Sequence, residues 1–327
     1  MSELLVVGHD DVKRLLPMDE CIELMASVLA DLARGDVWQP LRFVIRPPEE
    51  PSLMGLMPAH RSAPQPTYGL KVICIFPDNP ERGLDAHQGG VMLFDGATGE
   101  PRALLDASAV TEIRTAAVSA VATRLLARED TRELAILGSG VQARSHLEAM
   151  SKVRPFERAR VFSRRVGHAR AFAADAHAPF PVEAVASAEE AVRGADVVVT
   201  ATSSRDPIVR HEWLAAGAHV NAVGSSIPTA RELDADTVAA AALFADRRES
   251  MLNEGGDYLL AAGEAGLGSE HIRAELGELL VGSADGRRSD DELTVFKSLG
   301  LAVEDLAAAE HVYERARETG AGTSVPW

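Results

Sequence analysis

Five apolar runs in the middle of the chain, and the helical segments that separate them, constrain the fold more than any other feature. ELAILG, RARVFS, ADVVVTAT, HVNAVG and ALFAD are each largely apolar. A strand apolar on both faces belongs inside a parallel sheet with helices packed on either side. Strands alternating with helices build that sheet through successive βαβ crossovers, which predicts an α/β doubly wound parallel sheet for this part of the chain.

The first run ends in a glycine turn that opens a helix, Gly138-Ser139-Gly140-Val141-Gln142-Ala143. The G-x-G-x-x-A spacing suits a pyrophosphate. The first glycine permits the tight turn, the second lets backbone approach the anion, and the small last residue lets helix pack on strand. The N–H groups of the new helix and the positive end of its dipole then face the phosphates. The sheet is thus expected to be a Rossmann dinucleotide-binding domain. Its second strand ends in Ser163, Arg164 and Arg165, with no acid. An acid there bonds the ribose 2′-hydroxyl of NAD, whereas cations and hydroxyls receive the 2′-phosphate of NADP. The expectation is NADPH preferred, with NADH possible; a solvated basic loop is the alternative reading of the same residues.

Upstream, DDVKRLLPMDECIELMASVLADLARGD has helical spacing, with Asp10 or Asp11 and Asp19 as candidate caps and Gly35 as a stop. A proline-rich connection follows. TYGLKVICIFP and GGVMLFD then read as strands, with GATGE a turn into PRALLD. The Ala-rich SAVTEIRTAAVSAVATRLLARED reads as a bridging helix. The tail DELTVFKSLGLAVEDLAAAEHVYERARE reads as an amphipathic helix that returns to the first domain. The organisation predicted is a discontinuous α+β domain, residues 1–120 completed by 295–327, around a Rossmann domain over 121–294.

Only four of the 33 cationic residues are lysines, at positions 13, 71, 152 and 297. Lys71 lies inside the apolar strand YGLKVICIF. Burying it is costly unless it is paired, and burial lowers its pKa toward use in proton transfer; a strand-edge lysine reaching water is the alternative. Arg42 and Arg114 also sit beside apolar sequence. Each alone reads as a surface or ion-paired residue; together with Lys71 they could grip a carboxylate. Spacing alone does not bring the three together. The net charge of −16 argues against nucleic acid or an anionic membrane as partner, and no run approaches the length of a membrane span. Two cysteines outside any CxxC pattern and a leaderless N-terminus point to a cytoplasmic protein. Ten histidines without HExxH or paired spacing give no metal site.

Several segments carry a resemblance: QPLRFVI, LMGLMPAH, HQGGVMLFDGATGEPRALLDASAVTEIRTAAVSAVAT, ILGSGVQARSHLEAM, HVNAVGSSIPTARELD, AELGELLVG and TVFKSLGLAVEDLAAA. Through them the chain resembles the ornithine cyclodeaminase/mu-crystallin family over nearly its full length. The resemblance implies a homodimer built on the α+β domain. It implies that Arg42, Lys71 and Arg114 hold the carboxylate of a small amino or imino acid, with Lys71 catalytic. It further implies cofactor contacts from His87, Gln88, Thr115, Gly138, Gly140, Val141, Gln142, Ala143, Ser163, Arg164, Arg165, Thr202, Val223, Ser225 and Ser298. Glu254 and Asp257 match family positions near the cofactor cleft and read equally well as loop caps.

One departure is informative. The family's ornithine cyclodeaminases carry a Glu where this chain has Gly55 and an Asp where it has Ser226. Those acids serve the second ammonium and the water chemistry of a deaminating cyclisation. Their absence matches the mu-crystallin, ketimine reductase branch. The expected function is an NAD(P)H-dependent reductase of small imino acids, or the reverse amino-acid dehydrogenase. Ornithine cyclodeaminase is the alternative, and a ligand-binding protein without useful turnover is a third reading.

Overall fold

The computed structural model describes residues 3–327 and divides into two compact units, Met1–Arg114 with Gly300–Trp327, and Thr115–Leu299. The chain begins with β1 (Glu3–Val7), α1 (His9–Leu15), α2 (Met18–Arg34), β2 (Val37–Trp38), β3 (Phe43–Ile45), β4 (Leu53–Arg61), β5 (Thr67–Ile75), β6 (His87–Asp95), β7 (Pro101–Asp106) and α3 (Ala107–Leu126). Pro17 splits the first helical stretch, because proline supplies no N–H and starts a helix better than it continues one. The caps are Gly8 and Pro17; Asp10, Asp11 and Asp19, expected as caps, lie in the first turns. There they complement the helix dipole through charge rather than by a capping bond. Gly35 closes α2 in the left-handed conformation.

The second unit runs β8 (Glu133–Leu137), α4 (Val141–Val153), β9 (Arg158–Phe162), α5 (Val166–Ala174), β10 (Val182–Ala184), α6 (Ala188–Val192), β11 (Val197–Thr200), β12 (His219–Ala222), α7 (Ala235–Ala240), β13 (Ala242–Ala245), α8 (Arg248–Glu254), α9 (Gly256–Ala265), β14 (Ile272–Glu275), α10 (Leu276–Leu280) and β15 (Thr294–Lys297). Its eight strands lie in the order β10-β9-β8-β11-β12-β15-β13-β14, and every pair is parallel. The five apolar runs form β8, β9, β11, β12 and β13. Strand order reverses between β8 and β11, the switch point outside whose carboxyl ends a doubly wound sheet takes its ligand.

Thr294–Lys297 corrects the sequence reading. The segment is a fully buried strand between β12 and β13, not the start of a helix. Four residues are too few for periodicity to separate strand from helix. The unit boundary accordingly falls after Leu299 rather than after 294. The other boundary falls at Arg114, inside unbroken α3, where no turn residue marks it, and not at 120.

The chain returns to the first unit through α11 (Ala302–Thr319) and β16 (Thr323–Pro326). The sheet there has the order β16-β1-β7-β6-β5-β4-β2, with β3 also paired to β4. Strands β4 to β7 form an antiparallel meander, while β1 lies parallel to β7. Alternate residues of β5, namely Thr67, Gly69, Lys71 and Ile73, are buried, and α11 packs across β4, β5 and β6. Lys71 therefore points into the interior beside its register partners Met57 and Val91.

Candidate active site

In the first unit, α11 brings an acid to the buried lysine. Lys71 Nζ lies 2.7 Å from Asp305 Oδ2, with only 2% and 1% of the two side chains exposed. The Thr111 hydroxyl of α3 stands 3.4 Å from the same nitrogen. One turn along α3, Arg114 donates from Nε to Asp305 Oδ1 at 3.0 Å and from Nη1 to Glu304 Oε2 at 2.8 Å. Arg42 reaches the same place by another route, its Nη2 donating to the carbonyl oxygen of Gly300 at 3.1 Å. Gly300 has φ +79, and a Cβ there would stand 2.5 Å from Arg114 Nη1, so only glycine lets the chain turn beneath that guanidinium.

The three cations expected from the sequence thus converge: two buried carboxylates hold Lys71 and Arg114, and the Gly300 carbonyl oxygen holds Arg42. Burial pulls the Lys71 ammonium down to about 8; Asp305 opposes that shift, while Arg114 and Arg42 add to it by like-charge repulsion. His87 belongs to the same neighbourhood. Burial lowers its pKa, Asp85 raises it, and the charge of Lys71 lowers it further. Its backbone N–H donates to Asp85 Oδ1, and Gln88 Nε2 donates to the Asp85 carbonyl oxygen.

The second unit carries the other expected residues. Gly138 has φ +126, and a Cβ on it would stand 2.4 Å from the Ala201 carbonyl oxygen at the end of β11. Its N–H donates to Phe162 O, which ties the turn to β9. A Cβ on Gly140, the cap of α4, would meet nothing within 4 Å, so that face of the turn is open to a ligand. Ala143 is fully buried where α4 meets the sheet, while Val141 is exposed and Gln142 half-buried at the head of the helix. This cradle fits a pyrophosphate. The Ser139 hydroxyl donates to that of Ser163, and Arg164 and Arg165 beyond it are exposed and form no ion pair among the described residues. Thr115, Ser225 and Ser298 are buried; Ser298 N donates to Ala222 O at the end of β12.

A buried carboxylate that the sequence reading passed over, Glu232, organises the strand ends next to these residues. It accepts from Thr200 Oγ1, from Thr202 N and Oγ1, and from Gly224 N, all at 2.7–2.8 Å. It therefore fixes the loops after β11 and β12, where Thr202 and Val223 lie. Burial raises the Glu232 pKa, and Lys297 opposes the rise. Asp257, which matched a family position near the cofactor cleft and read equally well as a loop cap, is buried and does cap a loop. Its Oδ1 accepts from the N–H groups of Glu232 and Leu233, and its Oδ2 lies 2.9 Å from Lys297 Nζ. The signal for Lys297 was the one that singled out Lys71, a lysine in an apolar run. It was hidden by the helical reading of VFK.

The chain is similar to known proteins over nearly its whole length. A model of the ornithine cyclodeaminase/mu-crystallin family matches residues 3–320. The ketimine reductase mu-crystallin of Mus musculus is 39% identical over 293 residues, covering 89% of this chain and 90% of its own length. Among solved structures, the Δ1-pyrroline-2-carboxylate reductase of Thermococcus litoralis, in complex with NADH and L-proline, is 36% identical. It superposes with a TM-score of 0.95 over 98% of this chain and 100% of its own. An archaeal alanine dehydrogenase, a dimer with bound NAD, is 32% identical with a TM-score of 0.93, and each chain is covered in full.

The buried network makes a stability prediction. Lys297→Met leaves Asp257 without its cation in the interior and is expected to cost about 3–5 kcal/mol. Arg193→Ala removes an exposed pair with Glu189 and should cost less than about 1 kcal/mol. Urea unfolding of the two variants checks this; two small and equal losses would contradict it.

Proposed function

The chain belongs to the ornithine cyclodeaminase/mu-crystallin family, and on that premise we propose that it is an NAD(P)H-dependent reductase of small imino acids, running in reverse as an amino-acid dehydrogenase. The observation that carries the reading is the cation site of the first unit, where Lys71 and Arg114 are buried on Asp305 and Glu304 and Arg42 rests on Gly300. The three cations lie close enough together for their charges to act on one another, and such a cluster suits a carboxylate substrate. Guanidinium groups orient a carboxylate through paired N–H donors. A C=N carbon accepts hydride well only when its nitrogen is protonated, and Lys71 supplies that proton. With a pKa of about 8, roughly nine-tenths of Lys71 is ammonium at neutral pH, yet the proton is not held too tightly to give up. The bound nicotinamide supplies the hydride. Since reduction needs the ammonium, its rate should fall as pH rises through about 8, and oxidation, which needs the neutral amine, should rise over the same interval.

A preference for NADPH is supported by Ser163, Arg164 and Arg165 at the end of β9, with no acid among them. The two solved relatives hold NADH or NAD, so the preference rests on these residues of this chain. Assembly as a homodimer is supported by the exposed Trp38, Phe43, Val44, Ile45 and Tyr68 on strands β2, β3 and β5, each paired to β4, apolar side chains that association would cover. The free cysteines Cys21 and Cys74 support a reducing, cytoplasmic setting. Cyclodeamination is disfavoured because Gly55 and Ser226 offer no carboxylate.

Two measurements test the reading. Loss of nicotinamide absorbance is followed with pyrroline-2-carboxylate, cyclic ketimines, and pyruvate with ammonia or methylamine; turnover with at least one is expected. Silence across the panel, with ammonia released from ornithine, would overturn the reductase in favour of the cyclodeaminase. For Arg164→Ala, the KM for NADPH should rise about tenfold or more and that for NADH far less. Equal effects would remove the 2′-phosphate assignment.

A further inference from the structure

The acids beneath the cation site are as informative as the cations. We propose that Asp305 is a positioning residue of the reaction: its two carboxylate oxygens hold the Lys71 ammonium and the Arg114 guanidinium side by side, fixing the proton donor beside the carboxylate grip and keeping it charged in a buried site. The proposal rests on the reductase reading above for the role of Lys71, and on the geometry alone for the hold of Asp305 on it.

The two oxygens are divided between the two cations, Oδ2 at 2.7 Å from Lys71 Nζ and Oδ1 at 3.0 Å from Arg114 Nε. Asp305 thus acts through Lys71 and not on the substrate. The groups that face Lys71 come from four elements. From α11 come Asp305 and, one bond away through Arg114, Glu304; from α3 come Arg114 and the Thr111 hydroxyl. Arg42 acts from the segment after β2 and His87 from the start of β6, whereas β5 brings no other charged side chain. Among the described residues, Asp305 is the one carboxylate at ion-pair distance from Nζ. A buried lysine beside two arginines and no anion sheds its proton. Removing the Asp305 charge should therefore leave Lys71 a neutral amine at the pH where it must donate. In turnover the proton passes from Nζ to the imine nitrogen, and Nζ regains one from water.

The test uses the scarcity of lysine. With lysines only at positions 13, 71, 152 and 297, a protein labelled with 13Cε-lysine has four signals to titrate by NMR, and Lys71→Arg assigns the one from Lys71. That signal is expected to titrate near pH 8 in the unaltered protein. In Asp305→Asn its midpoint should fall by at least about one pH unit, and the alkaline limb of kcat/KM for imino acid reduction should move down with it. The Lys13 signal, from the first unit where Lys13 pairs with Glu112 of α3, reports whether that unit is folded in the variant, and the Lys297 signal does so for the second. Asp305→Glu keeps the charge but displaces it, so the Lys71 midpoint should stay near that of the unaltered protein while kcat falls about tenfold or more. A folded Asp305→Asn with an unmoved Lys71 titration would overturn the proposal, as would a lower rate with an unmoved pH limb. So would an Asp305→Glu protein with full kcat. If no imino acid is reduced at all, the function fails while the titration still reports on Asp305.

Discussion

The buried pair of Lys71 and Asp305 is the interaction on which the first unit turns. An isolated ammonium or carboxylate in a protein interior is costly, and the pair is tolerated only with close geometry and further partners. Here the partners are present. Arg114 shares Asp305 and adds Glu304, and Arg42 and Arg114 both rest on Gly300. Lys71 comes from a central strand of the first segment, while Glu304 and Asp305 come from the last long helix of the chain. Satisfying these charges therefore requires the C-terminal segment to return to the first unit. The same helix also buries an apolar face, Val303, Leu306 and Val312 among it, so packing and charge together hold the returning segment.

The second unit repeats the device for a different end. Lys297, in a strand interior, is held by Asp257 and by the Ala222 carbonyl oxygen, with no arginine bonded beside it. Its neighbourhood fixes Glu232, which clamps the loops after β11 and β12 through four hydrogen bonds. One buried lysine thus sits beside two arginines and has a lowered proton affinity. The other helps compensate a carboxylate that shapes the cofactor-binding end of the sheet. Both arrangements hold their groups through the protein's own side chains and backbone.

How much of this was legible in the sequence follows from the range of each signal. The glycine turn and the strands β8, β9, β11, β12 and β13 were readable because their determinants are local, namely largely apolar runs, Gly-x-Gly and a helix start. Lys71 was readable as an anomaly, a lysine in a strand interior, but not its partner, because pairing across the length of the chain leaves no mark in spacing. The acids Glu304 and Asp305 looked like the polar face of an amphipathic helix, yet they are almost wholly buried. Strand β15 was too short to tell from a helix, and with it the pairing of Lys297 with Asp257 was lost; Glu232 carried no local signal at all. The unit boundary inside α3 was invisible for a related reason: a continuous Ala-rich helix carries no punctuation where compactness divides it.

The central claim is that Lys71, held on Asp305 beside Arg114, is the proton donor of a carboxylate-binding reductase. The pH dependence of kcat/KM for imino acid reduction, measured in the unaltered protein and in Lys71→Ala, tests it most directly. The account predicts a rate that is steady at lower pH and declines above about 8 in the unaltered protein. It predicts a rate at least about a hundredfold lower in Lys71→Ala, with the alkaline decline gone and the cofactor still bound. A decline that persists unchanged in Lys71→Ala, or turnover close to that of the unaltered protein, would contradict it.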